Sequence, residues 1–220
     1  MAFITININE WKRKAPFEMY RTYTDPLFNV SSLIEVTELR QYALSHKVPF
    51  SQCLFYHSLA VCNEIEEFRT RIRNGEVVMY DVVHGGSTVA NPDGTFGFNY
   101  FDYVPGESLQ DFVKHFNTRG SAQIPEDEGK PLTARNSGPK ERYDLVRHTV
   151  LPWTIFTSVK HPRSGQEHDC IPKISFGRFY EDGLGRVMMP VNVEGHHGLM
   201  DGLHASMYIN ELEKQVSGEE

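Results

Sequence analysis

A chain of 220 residues with 40% hydrophobic and 23% charged side chains can bury one sizeable core, and this composition excludes a disordered or fibrous class. Its formal net charge of -7 offers no basic surface to a phosphate backbone, so nucleic acid is not expected as the main partner. No apolar run approaches a membrane span, the opening "MAFITININEWKRK" lacks a signal-peptide core, and the three cysteines, Cys53, Cys62 and Cys170, form no CxxC pair. The expectation is a cytoplasmic protein with free thiols and no membrane contact, one domain over residues 1–220.

From Asn29, "NVSSLIEV" is β-branched and loosely alternating, which predicts a strand, and Thr37 behind it can cap a short helix through "ELRQYALSHK". Pro49 suits the first turn of a longer helix, where its missing N–H loses nothing, and Cys53, Leu54, His57, Val61 and Ile65 recur at helical spacing. After the "RNGE" turn, "VVMYDVV", "STVA" and, beyond "NPDG", "TFGFNYFDYV" read as strands joined by tight connections, because Asn, Asp and Gly tolerate hairpin dihedrals. "ESLQDFVKHF" predicts a helix, while residues 119–140 are too polar and too rich in Gly and Pro for a core and read as a long surface loop. "IPKISFGRFY" and "GRVMMPVNVEG" return to strand, the second with Val187, Met189, Val191 and Val193 on one face. A last helix follows with Ala205, Tyr208, Ile209, Leu212 and Val216 on one side and Asp201 as its N-cap or first-turn acid.

Between that strand and that helix stands "EGHHGLMDG", residues 194–202. A histidine delivered by a strand end to a turn is both placed and accessible, and a neutral imidazole can accept a proton from an alcohol or thiol near neutral pH. Gly195 and Gly198 relax the backbone around the pair. A metal site would use His196 or His197 with Asp201 and His204, but adjacent histidines in extended chain point to opposite faces, and no HExxH helix completes a ligand set. A third reading leaves one histidine in the core and Asp201 as a helix cap alone. The residue pattern by itself leaves these three open.

The motif "HHGLMDGLH" resembles the HHxxxDG signature of the type A chloramphenicol acetyltransferase family, which also stands near the C-terminus. "NEWKRKAPFEMYR" is similar to that family's opening segment, "VLPW" at residues 150–153 to its SALPW, and "VCNEIEEFRTRI" to a helix end of the family, so the resemblance runs in register over nearly the whole chain. It implies an α/β fold, a two-layer mixed sheet flanked by helices, assembled as a homotrimer with active sites between subunits. The implied reaction moves acetyl from acetyl-CoA, a co-substrate, to a hydroxyl of chloramphenicol or a related small acceptor, with no bound cofactor and no metal.

Carried over position by position, the resemblance makes His197 the general base and His196 its structural neighbour. Asp201 would pair with Arg13 and fix the loop that holds the imidazole. Thr149 stands at the family's serine, a hydroxyl donor to the oxyanion, here with an added methyl and a stiffer χ1. Tyr20 and Phe96 match aromatic positions of the acceptor pocket, and Arg178 and Phe179 fall near positions that meet CoA. Pro26 and Leu27 replace small pocket residues, the segment "SVKHPRSGQEHDCIPKISFGRF" is more polar and charged than its counterpart, and His148 has no counterpart and no assigned role. The alternatives are a catalytically silent binding module of the same fold, an acyltransferase for another alcohol, and a metal-dependent hydrolase. The acyltransferase core of 2-oxoacid dehydrogenase complexes shares the turn chemistry but usually reads DHRxxDG, and that Arg is missing here.

Overall fold

The computed structural model describes residues 2–119 and 142–218. Two sheets organise them. The smaller has the order β1-β4-β3, from β1 (Phe3–Thr5), β3 (Thr70–Arg73) and β4 (Glu76–Tyr80). Asn74 and Gly75, with φ of 53° and 78°, form the left-handed pair that a two-residue hairpin turn needs. The Glu167 carboxylate accepts both of their N–H groups at 2.7 Å and ties the hairpin tip to the 3-10 turn Glu167–Cys170.

The larger sheet has seven strands. Its path runs from β2 (Leu27–Glu35) through β10 (Val187–His196), β8 (Lys173–Gly177), β7 (Leu145–Leu151) and β5 (His84–Ala90) to β6 (Phe96–Phe101), and β9 (Tyr180–Glu181) pairs with β10 off that path. The sheet is mixed: β5, β7 and β8 run parallel, while β2, β6, β9 and β10 pair antiparallel with their neighbours. One face is apolar. Val187, Met189, Val191 and Val193 of β10 join Ile174, Phe176 and Val146 in one core with Leu54 and Leu59 of α3 (Phe50–Glu64) and Tyr208 and Leu212 of α6 (Gly202–Ser217). Each such fully buried aliphatic or aromatic side chain contributes about 1.5–3 kcal/mol, and α2 (Thr37–His46) packs beside α3 and α6.

The other face is polar, because strand side chains alternate: Asn192 and Glu194 of β10, Lys173 and Ser175 of β8, and Arg147 and Thr149 of β7 point there. Residues 161–163 cross it. Glu194 accepts from the His161 N–H at 3.3 Å and from Arg163 at 3.0 Å, the Lys173 ammonium donates to the Pro162 carbonyl, and His161 Nε2 lies 3.3 Å from Ser175 Oγ.

The large strands and helices stand where the hydrophobic pattern predicts, and four local expectations change. "VVMYDVV" and "STVA" do not form one hairpin: β4 and β5 belong to different sheets. The helix end read over residues 61–72 is broken up: α3 stops at Glu64, α4 (Glu66–Arg69) is one turn, and Thr70 begins β3. There the fully buried Arg71 guanidinium donates to four carbonyls, of Tyr143, Phe68, Thr70 and Leu145, a set that a helical backbone could not present to it. Thr37 does not cap α2; its hydroxyl donates to Glu35 and accepts the Val187 N–H, a tie between strand and helix. Pro49 stands one position before α3 as its N-cap. The short β1 and helix α1 (Lys14–Tyr20) carry no sequence signal of comparable strength. Of the expected loop over 119–140, Arg119 ends α5 (Leu109–Arg119) and the remainder lies outside the described residues.

Candidate active site

The turn after β10 is tight. Leu199 and Met200 both donate their N–H to the His196 carbonyl, at 2.8 and 3.0 Å, and His197 N–H donates to Pro26 O at 2.8 Å, just before β2. Gly195 is required by close approach, since a Cβ there would overlap the Met200 thioether. His196 ends the strand buried, its Nδ1 accepting the Gly198 N–H at 3.1 Å, and burial pushes its pKa down to about 4, so the ring is neutral.

His197 is half-buried between two aromatic rings: Tyr20 of α1 stacks on it at 4.2 Å with planes 7° apart, and Phe28 of β2 meets it at 4.8 Å and 42°. Its Nδ1 is buried without a hydrogen-bond partner among the described residues, which leaves Nε2 as the nitrogen able to meet a substrate. The imidazole is therefore gripped by flat surfaces, and its backbone is fixed from both sides. Pro26 takes its N–H, and Arg13 Nη2 donates to its carbonyl at 3.2 Å.

Arg13 also pairs with Asp201, Nη1 to Oδ2 at 2.8 Å. Asp201 caps α6 by accepting the Leu203 N–H at 3.0 Å, and His204 completes the box by accepting the Asp201 N–H at 3.2 Å. Burial pushes the Asp201 carboxyl up, but the Arg13 hydrogen bond, the nearby His204, the Arg13 charge and the Leu203 amide outweigh it and hold the group below the usual carboxylate range. Both sequence expectations for Asp201, helix cap and Arg13 partner, coexist in one side chain.

The remaining candidates lie elsewhere. Thr149 pairs with Ser175 on β8, and Ser175 pairs with Asn192 on β10, five positions before His197. Two strand spacings across and five residues along place Thr149 roughly 19 Å from His197. Phe96, 43% exposed, faces Ala90 on the edge strand β6, still farther from β10. Arg178 is exposed just past β8, its N–H bonded to Thr154 O at 2.8 Å. Phe179 lies under the Arg40 guanidinium at 5.3 Å and edge-on to Phe50 at 5.6 Å. Within one chain, then, His197, Asp201, Arg13 and Tyr20 form one group, and Thr149, Phe96, Arg178 and Phe179 all lie toward the opposite end of the sheet.

Sequence reading missed Phe28 and Glu67. Phe28 falls one residue before the strand as read from Asn29, so its alternation was cut off. Glu67, which meets His204, carries no local pattern. Among the described residues no three His, Cys, Asp or Glu side chains gather as metal ligands, and no helix is long and apolar enough to cross a membrane.

The family profile described as chloramphenicol acetyltransferase matches residues 1–213. The chain is 26% identical over 214 residues to chloramphenicol acetyltransferase 2 of Escherichia coli, covering 97% of this chain and 96% of that one. It is 27% identical over 214 residues to a chloramphenicol acetyltransferase of a Klebsiella species, covering 96% and 93%. A solved chloramphenicol acetyltransferase superposes with a TM-score of 0.85 at 29% identity, over 98% of this chain and 100% of that one. A solved dihydrolipoamide acetyltransferase of Azotobacter vinelandii shares the fold, with a TM-score of 0.65 at 15% identity over 92% of this chain and 85% of that one.

Proposed function

Because the chain belongs to the chloramphenicol acetyltransferase family and is thereby an acetyl-CoA-dependent acyltransferase, we propose that it is a type A member acetylating a hydroxyl of chloramphenicol or a related alcohol, with His197 as general base. His197 Nε2 takes the hydroxyl proton as the oxygen attacks the thioester carbonyl. The tetrahedral adduct collapses by breaking the C–S bond, and the leaving CoA thiolate recovers the proton from the imidazolium. Such proton transfer is typically worth about 10² to 10⁴ in rate. The observation that carries the reading is the fixing of His197, ring between Tyr20 and Phe28, N–H on Pro26 and carbonyl on Arg13. Asp201 acts through Arg13 and has no share in the proton.

Negative charge on the former carbonyl oxygen needs a donor, and in this reading it is the Thr149 hydroxyl. One thioester cannot touch both Thr149 and His197 of a single chain at roughly 19 Å. The reading therefore includes a homotrimer in which His197 and Tyr20 of one copy face Thr149 and Phe96 of the next, with Arg178 and Phe179 on the CoA side. It also takes residues 1–220 as a single acetyltransferase domain, cytoplasmic, with acetyl-CoA as co-substrate and no bound cofactor or metal.

One observation favours a second acceptor class. The sheet face that carries Thr149 also carries Glu194, Lys173 and Ser175, with His161 and Arg163 laid over them, a polar surround for an aryl antibiotic. Release of CoA thiol from acetyl-CoA on addition of chloramphenicol tests the first reading. Turnover only with more polar alcohols supports the second, and calorimetric binding of chloramphenicol without thiol release with any alcohol supports a silent binding module.

A further inference from the structure

We propose that Glu67 and His204 are positioning residues for the base, the outer links of a side-chain series that ends on the main chain of His197; this rests on His197 being the general base. Glu67 of α4 is 7% exposed, and its Oε1 lies 3.1 Å from His204 Nε2. The other ring nitrogen, Nδ1, accepts the Asp201 N–H at 3.2 Å and lies 2.9 Å from Asp201 Oδ1. Asp201 Oδ2 holds Arg13 Nη1 at 2.8 Å, and Arg13 Nη2 holds the His197 carbonyl at 3.2 Å.

The direction of control follows from the ring. With one proton, on Nε2, the imidazole donates to Glu67 and accepts from the Asp201 N–H; with a second proton, Nδ1 donates to Asp201 Oδ1 instead. In either state Nε2–H points at Glu67, so Glu67 sets the plane in which His204 grips Asp201. The Lys12 ammonium also meets Glu67, at 3.4 Å, but from a side chain that is 70% exposed, so solvent screens that contact more than the one to His204. Lys12 and Arg13 are neighbours, so the series closes on itself through the backbone and clamps the entry to α1 at two successive residues. Loss of the Glu67 link frees the His204 ring, then the Asp201 carboxylate, then the Arg13 fork under the His197 carbonyl.

Two variants break this link at different points. Glu67→Ala removes the acceptor, while His204→Asn keeps an acceptor for the Asp201 N–H and falls short of Glu67. In thiol release with acetyl-CoA and chloramphenicol, each should lower kcat about tenfold, leave the KM for acetyl-CoA within about twofold, and cause no further loss when combined. Glu67→Gln, which keeps an oxygen for Nε2–H, should recover most of kcat. A kcat per folded molecule unchanged in Glu67→Ala, or losses that multiply in the double variant, would overturn the proposal. A second measurement does not need turnover: the imidazole Hε1 resonance of His197, assigned by its loss in His197→Ala, should move in Glu67→Ala and return in Glu67→Gln. A resonance that stays in place in Glu67→Ala also overturns the proposal. Should Glu67→Ala fail to fold, His204→Asn serves for both measurements. Absence of turnover with chloramphenicol in the parent would count against that acceptor alone, with the resonance still deciding this proposal.

Discussion

The His197 end and the Thr149 end of the large sheet are built on one plan but finished differently. In each, the candidate reactive residue directly follows a buried histidine kept neutral: burial pushes His196 down to about 4 and His148 down to about 3. His148 Nε2 lies 2.8 Å from Ser58 Oγ, which lies 2.7 Å from the Tyr208 hydroxyl, so that imidazole is locked into the core behind β7. At the His197 end the support is completed within the chain, by Tyr20, Phe28, Pro26 and Arg13. At the Thr149 end the hydroxyl stands on a sheet face, and Trp153, four residues on, stays uncovered at 75% exposure. The difference teaches that a single chain fully supports the proposed base and leaves the proposed oxyanion donor open, the arrangement expected under the reading in which a second copy supplies the opposite half.

The largest effect that could break this comparison is at the base itself. His197→Ala should lower kcat by about 10³ or more, within the range of general-base catalysis, with the fold retained; thiol release decides it, and unchanged turnover contradicts the assignment. Next comes the other end: Thr149→Val should cost about 2.7–4 kcal/mol in kcat/KM, while Thr149→Ser, which keeps the hydroxyl, should stay within a few-fold of the parent.

A smaller effect separates support from chemistry. Asp201→Asn or Arg13→Val should remove a charge-assisted hydrogen bond worth about 1.5–3 kcal/mol, seen as a lower Tm together with a lower kcat. Full thermal stability in both variants would count against the pairing. The last test is read against pH and not rate, and it concerns the two neutral histidines. Unfolded histidine takes a proton below about 6.5, whereas folded His196 and His148 wait until about 4 and about 3, so in that window the unfolded state binds more protons. Stability is therefore lost as pH falls from about 6.5 toward 3, and Tm measured over that range should fall less steeply in His148→Gln.

Much of this was legible in the sequence. The alternation of Val187, Met189, Val191 and Val193 followed by the helical face of Ala205, Tyr208, Ile209, Leu212 and Val216 marks β10 and α6, because both elements bury one face on the same core. The turn between them could be located for the same reason. The separation of His197 from Thr149 was not legible, since it depends on β8 lying between β10 and β7, a matter of long-range pairing that local pattern does not encode. The smaller sheet was hidden because β1 is three exposed residues and β3 follows directly on a helical turn. Glu67 was invisible for a related reason: its contact with His204 is set by how α4 meets α6 in space.

Co-assembly of two defective chains tests the central claim most directly. His197→Ala and Thr149→Ala chains, each poorly active alone, would be co-expressed with different tags, isolated as mixed assemblies and assayed for thiol release. The account predicts activity above both parents, because some interfaces then pair an intact His197 with an intact Thr149. Mixed assemblies no more active than the better parent would contradict it.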